Sequence, residues 1–88
     1  MEDFDNFIEQ IFTQNNTGVA HIIEGKYYTE FYNELMELCD IQQPYIICHG
    51  IRAEHKRALY EFQHHHCTKW VMKAESTKNL GLYVMGKI

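Results

Sequence analysis

The chain has 88 residues, 45% of them hydrophobic and 23% charged, and a formal net charge of −4 at pH 7. Because this length supplies one hydrophobic core, we expect a single domain over residues 1–88. The composition excludes a disordered or collagen-like chain. Apolar runs of at most four residues exclude a membrane-spanning helix.

The charge is divided unevenly along the chain. Residues 1–44 hold nine acidic residues and one basic residue, Lys26, whereas residues 45–88 hold seven basic and three acidic residues. A separation of this kind makes the molecule dipolar, and such a field steers charged partners without determining the fold.

Residues 4–12 have the spacing of an amphipathic helix. Apolar side chains recur at i, i+3, i+4, i+7 and i+8, at Phe4, Phe7, Ile8, Ile11 and Phe12. Residues 15–18 contain two asparagines and a glycine, which end this helix. The partly β-branched residues 19–24 lie between two glycines, which predicts a strand.

Residues 27–40 predict a second helix. Its apolar stripe repeats the helical spacing at Tyr28, Phe31, Tyr32, Leu35 and either Leu38 or Cys39. Pro44 then interrupts the chain. The apolar run 45–48 that follows is typical of a buried strand.

Residues 52–66 fit either a helix or a strand. A helix would have one apolar face, made of Ile51, His55, Ala58, Leu59 and Phe62. A strand would alternate apolar and polar residues from Tyr60 to Met72. We favour a helix to about residue 63 and a strand from about residue 68.

The remaining residues and the order of the elements predict the fold class. Residues 69–74 and 80–87 form a hairpin around a polar turn. The order α-β-α-β-α-β-β predicts a small single α+β domain. We expect a three- to four-stranded, mainly antiparallel sheet with a C-terminal hairpin, packed against two or three helices.

The cysteines and the start of the chain predict a compartment. Cys39, Cys48 and Cys67 are an odd number without a paired framework, and we expect buried structural thiols at Cys39 and Cys48. The first residues are acidic, whereas a secretory signal begins with positive charge. We therefore predict a reduced, cytoplasmic protein.

Three consecutive histidines, residues 64–66, are followed by Cys67 and make a candidate metal site. In a helix the three imidazoles point about 100° apart and cannot share an ion. In a strand His64 and His66 would lie on one face about 7 Å apart, so a His/Cys metal-binding protein is one alternative. Under the favoured helix we expect neither a metal nor a cofactor. A cysteine near a histidine is also too little for nucleophilic catalysis without an orienting third group, so we expect no enzyme.

A nucleic-acid-binding domain is an alternative from a different class. The basic residues of the second half would line one face: Arg52, Lys56, Arg57, Lys69, Lys73, Lys78 and Lys87. Tyr60, Trp70 and Tyr83 would supply rings for base stacking. The acidic half argues against this alternative, because its charge repels phosphate.

The acidic residues form regular rows beside the apolar stripes of the first two predicted helices. Their carboxylates have no basic residue at i+4, so they gain nothing within their own helices. We predict that these rows contact a larger basic protein. The predicted contact residues are Asp5, Glu9, Tyr27, Glu30, Glu34 and Glu37.

The predicted function is that of a small acidic, non-catalytic protein-binding module. It would inhibit or modulate a larger basic partner, and proteins that handle nucleic acid are one class of such partners. Small inhibitors made by phages and other mobile elements have this size and lack catalytic motifs. By that analogy we predict a host-interaction or anti-defence role without membrane contact.

Overall fold

The computed structural model describes residues 20–76 and 81–88, so the first predicted helix, over residues 4–12, lies outside this part of the chain. The described elements are the strands β1 (Ala20–Glu24), β2 (Tyr45–His49), β3 (Trp70–Ser76) and β4 (Leu82–Lys87) and the helices α1 (Tyr28–Met36) and α2 (Lys56–Glu61). A 3₁₀ turn, Ala53–His55, leads into α2, and a π-helical turn, Phe62–His66, continues it. None of the helices in the described ranges is long and apolar enough to cross a membrane.

The four strands form one mixed sheet in the order β1-β2-β4-β3. β1 and β2 are parallel, with Ile22 opposite Ile47, and α1 makes the crossover that a parallel pair requires. β4 runs antiparallel to both of its neighbours, β2 and β3. The predicted α+β class, with a mainly antiparallel sheet and a C-terminal hairpin, is therefore confirmed.

The ambiguous segment is helical, and its predicted apolar face is buried. Burial recurs with helical spacing at Ile51, His55, Ala58, Leu59 and Phe62. The helical segment extends past the predicted end at residue 63 as far as His66. It does so because the Cys67 amide donates to the Phe62 carbonyl oxygen over 2.7 Å, which closes a wider turn of the π type.

The main core fills the space between the two helices and one face of the sheet. Phe31 and Leu35 enter it from α1 and Ile46 enters it from β2, and all three are fully buried. The two α1 residues share a face because they are four positions apart. Trp70 completes the core, and its indole N–H donates to the Cys39 carbonyl oxygen over 2.9 Å.

A second apolar cluster lies on the other face of the sheet. Its buried members are Ala20, Ile47, Leu82 and Val84, none of which belongs to α1 or α2. Successive residues of a strand point to opposite faces. Ile47 and Val84 therefore face away from the main core, yet both are 0% exposed. Both faces of the sheet are buried at β2 and β4.

His55 is a buried polar residue within the main core. Its Nδ1 accepts the Arg52 amide over 2.9 Å, so Nε2 carries the hydrogen and donates to the Lys26 carbonyl oxygen over 2.6 Å. The imidazole also packs edge-on against the Phe31 ring, with centroids 4.9 Å apart. His55 thereby ties the chain before α1 to the 3₁₀ turn before α2.

Cys39 and Cys67 form a disulfide, with Cα atoms 5.7 Å apart. Cys39 follows the end of α1 and Cys67 follows the π-helical turn, so the bond ties the two helical segments together. The prediction of reduced cysteines without a paired framework is therefore wrong for this pair. An odd number leaves one cysteine over, but it does not prevent two others from pairing across a separation of 28 residues.

Candidate functional site

A row of acidic side chains follows one side of α1. Glu30 and Glu37 are exposed and Glu34 is half-buried, and we call these three residues the acidic row. Tyr27, immediately before α1, is 83% exposed. Residues three and four positions apart share a helix face, so Tyr27 and the acidic row lie along one side of α1. Their role as contact residues stays a prediction.

One carboxylate of the acidic row is paired. Lys26 Nζ donates to Glu34 Oε2 over 3.1 Å. This hydrogen bond and the charge of Glu34 raise the pKa of Lys26, so the ammonium group stays charged. Spacing at i+4 within the helix does not reveal this pair, because Lys26 and Glu34 are eight positions apart and Lys26 precedes the helix. Within the described residues, Glu30 and Glu37 have no ion-pair partner.

The other predicted acidic contact residues, Asp5 and Glu9, lie outside the described residues. Their charges contribute to the excess of acidic residues in residues 1–44. The acidic row on α1 is therefore the part of the predicted surface whose geometry is described.

An open groove of about 790 Å³ runs between α1 and the second helical segment. Tyr28 and Tyr32 form its α1 side, with ring centroids 5.9 Å apart. Glu54, Arg57 and Glu61 form the opposite side. We call this feature the interhelical groove.

Tyr32 connects the two sides of the interhelical groove. Its hydroxyl donates to Glu61 Oε2 over 3.2 Å, and Arg57 Nε lies 3.6 Å from the other carboxylate oxygen, Glu61 Oε1. The hydrogen bond to Glu61, then desolvation and the charge of that carboxylate, raise the pKa of Tyr32. The phenol therefore remains a hydrogen-bond donor at neutral pH.

Helical spacing alone does not predict the interhelical groove. The spacing places Tyr28 and Tyr32 in the apolar stripe of α1, whereas both rings are half-buried and line the groove. The opposite side of the groove has a sequence pattern that could have indicated it. Glu54, Arg57 and Glu61 recur at i, i+3 and i+7 of a helical face. This pattern indicates a shared face only if residues 52–66 are helical.

The three consecutive histidines are exposed on the π-helical turn. His66 Nε2 donates to the Met36 carbonyl oxygen over 3.0 Å. The Tyr60 ring lies 4.6 Å from the His64 ring and 5.7 Å from the His65 ring, measured between centroids. In the part of the chain that the structure describes, no three His, Cys, Asp or Glu side chains are grouped so that they could hold a metal ion.

Neither Cys48 nor Cys67 is available as a nucleophile in this structure. Cys48 is a free thiol and is fully buried in β2, as expected. Burial raises the pKa of the Cys48 thiol far above its ordinary value, so the sulfur stays protonated at neutral pH. Cys67 is bonded to Cys39. Neither sulfur is a thiolate.

The rings predicted to stack on nucleic-acid bases are not all accessible. Trp70 is 0% exposed and Tyr83 is 7% exposed, both inside the main core, whereas Tyr60 is 57% exposed. The predicted stacking surface is therefore wrong for Trp70 and Tyr83, because both rings pack in the apolar core. Of the basic residues predicted to bind nucleic acid, Lys69 forms an ion pair with Asp40.

Comparisons with protein families, with curated proteins and with solved structures find no match for this chain. The acidic row and the interhelical groove are therefore the features from which function is inferred. Both involve α1, but Glu30 and Glu34 lie two positions from Tyr28 and Tyr32, about 200° around the helix, so the two features are on different sides of α1.

Proposed function

We propose that this chain is a small acidic, non-catalytic protein-binding module that inhibits or modulates a larger basic partner. The observation that carries the proposal is the acidic row with Tyr27 at its start. Glu30 and Glu37 are exposed and have no ion-pair partner within the described residues, and the Tyr27 ring is 83% exposed. Tyrosine is enriched in protein interfaces, and exposed carboxylates attract and orient a basic partner.

The partner that we propose handles nucleic acid. Proteins of that kind cluster Lys and Arg to neutralise phosphate, and the acidic row has the complementary sign. A small protein that covers such a cluster acts by competition and needs no chemistry of its own. Inhibitors made by phages and other mobile elements act on host proteins in this way, and we extend the proposal to that class by analogy.

The proposal includes a cytoplasmic location, and the Cys39–Cys67 pair makes this part testable. Reducing systems keep most cytoplasmic cysteines as thiols. A cytoplasmic location therefore predicts that the Cys39–Cys67 disulfide of this structure is open in the cell. Alkylation at the moment of lysis, in cells that make the protein, should then label both cysteines, and mass spectrometry reads the label. A pair that is labelled only after reductant is added would contradict a cytoplasmic location.

The test reverses the charge of the two unpaired members of the acidic row. Glu30→Lys together with Glu37→Lys places two cations against a basic partner, and contacts between like charges cost several kcal/mol. A partner captured from nuclease-treated host lysate by the unchanged chain should bind this variant at least about tenfold more weakly. Association with the unchanged chain should also slow as salt is added, because exposed charges are screened over about 8 Å at physiological ionic strength.

The matched control is Glu24→Lys together with Glu75→Lys. Both residues are exposed on strands, and the net charge changes by the same amount. The control should retain the partner, and both variants should keep the stability of the unchanged chain within about 1 kcal/mol, because exposed substitutions usually cost about 0.5 kcal/mol or less each. Equal loss of binding in the two variants would show an effect of net charge alone. Full binding by both would reject the acidic row as the contact.

A further inference from the structure

The interhelical groove has the chemistry of a site for a flat cation. We infer, on the basis of the proposed function, that it binds the guanidinium group of an arginine side chain presented by the basic partner. Tyr28 and Tyr32 contribute aromatic rings on one side, and Glu54 and Glu61 contribute carboxylates on the other. Aromatic faces and carboxylates are the groups with which a guanidinium pairs in proteins.

The aromatic side of the groove favours a planar cation. The ring centroids of Tyr28 and Tyr32 are 5.9 Å apart, and the ring planes are inclined by 30°. A guanidinium can stack on either ring within the roughly 6 Å range of cation–π attraction. A lysine ammonium is more strongly hydrated and cannot stack. We therefore expect the groove to prefer arginine to lysine.

The carboxylate side of the groove is partly fixed in position. Glu61 Oε2 accepts the Tyr32 hydroxyl over 3.2 Å. A side chain that is already oriented loses less conformational freedom when a ligand binds. Glu54 is exposed and lines the same groove, so it adds a second negative charge within reach of the ligand.

Arg57 shows that a guanidinium fits beside Glu61. Its Nε lies 3.6 Å from Glu61 Oε1, beyond ordinary hydrogen-bond length, and its side chain is 80% exposed. An exposed ion pair of this kind contributes little to stability, so an incoming arginine can displace it easily. Arg57 is therefore an internal competitor for the groove.

The first experiment uses a short arginine peptide, acetyl-Gly-Arg-Gly-amide, titrated into isotope-labelled protein and followed through the amide resonances. Matched peptides carry lysine, or citrulline as the uncharged isostere, in place of arginine. The arginine peptide should shift the amides of Tyr28, Tyr32 and Arg57. The lysine peptide should bind more weakly, and the citrulline peptide should leave these amides unmoved.

The second experiment uses variants that alter the groove by one charge. Arg57→Gln removes the internal competitor and should strengthen binding of the arginine peptide about two- to fivefold. Lys56→Gln is the matched control, because Lys56 is exposed, carries the same charge and does not line the groove, so it should have a smaller effect. Glu54→Gln should weaken binding by about the same factor, whereas Glu37→Gln should not.

Equal strengthening by Arg57→Gln and Lys56→Gln would overturn the inference, because it would show attraction by net charge alone. Equal affinity for the arginine and lysine peptides would overturn it as well. Shifts confined to the acidic row would reject the groove and leave the proposed function standing. The converse outcome has two parts: the groove binds the peptides as expected, and the chain keeps its partner after reversal of Glu30 and Glu37. That outcome would support the arginine site and reject the acidic row as the contact.

Discussion

Two histidines of this chain show how differently one residue type is used at different depths. His55 is buried and uses both ring nitrogens, whereas His66 is exposed and uses one, toward the Met36 carbonyl oxygen. A buried donor or acceptor that loses its partner costs about 1–3 kcal/mol, whereas an exposed one turns to water. The same substitution should therefore have very different effects at the two positions.

His55→Ala should lower the free energy of unfolding by about 2–5 kcal/mol. The change leaves the Lys26 carbonyl and the Arg52 amide without their partner and opens a cavity beside Phe31. Urea unfolding measures the loss. His66→Ala, the control, should cost less than about 1 kcal/mol. Similar losses at the two positions would mean that burial of His55 does not determine the cost.

Among the connections between elements, the Cys39–Cys67 disulfide has the largest expected effect on stability. It joins the end of α1 to the end of the π-helical turn across 28 residues. In the chain-entropy account, a cross-link of this span contributes about 3–4 kcal/mol by restricting the unfolded chain. This value is a sizeable part of the roughly 4–13 kcal/mol expected for a chain of this length.

Reduction of the unchanged chain should therefore lower its free energy of unfolding by about 3 kcal/mol. The variant Cys39→Ala with Cys67→Ala should be destabilised by a similar amount and should no longer respond to reductant. Cys48→Ala, which removes the buried free thiol, should keep the full response to reductant. Thermal melting of each chain with and without reductant decides the matter. An unchanged chain that melts at the same temperature in both conditions would contradict the prediction.

The helices and their connections differ in how much of their structure the sequence alone predicts. The buried face from Ile51 to Phe62 was predictable because helical spacing depends only on near neighbours along the chain. The acidic row was predictable for the same reason, but its pairing with Lys26 was not. Spacing does not distinguish an α-type from a π-type closure at a helix end, so the π-helical turn was missed. The disulfide and the interhelical groove depend on contacts between residues far apart in sequence, which periodicity does not contain.

At the scale of the whole molecule, the two central strands of the sheet, β2 and β4, are buried on both faces. Ile46 and Ile47 are adjacent in β2 and face the main core and the second cluster respectively, and both are 0% exposed. A sheet with one face in water would expose one of such a pair.

Ile46→Ala and Ile47→Ala should each cost about 2–5 kcal/mol, as for other buried isoleucines. Urea unfolding measures each loss. A loss below about 1 kcal/mol for Ile47→Ala would contradict burial of the second face of the sheet at β2.

β4 follows β2 and β3 in the chain, but it lies between them in the sheet. β2 and β3 are therefore synthesised before the strand that joins them. Until β4 inserts, the edges of β2 and β3 that it will cover are unpaired, and such edges are templates for aggregation and for chaperone binding. The sheet cannot form by adding strands in the order in which they are made. The rate at which residues 82–87 insert should therefore determine how long this protein depends on chaperones. Stalled nascent chains of increasing length test at what point these residues insert.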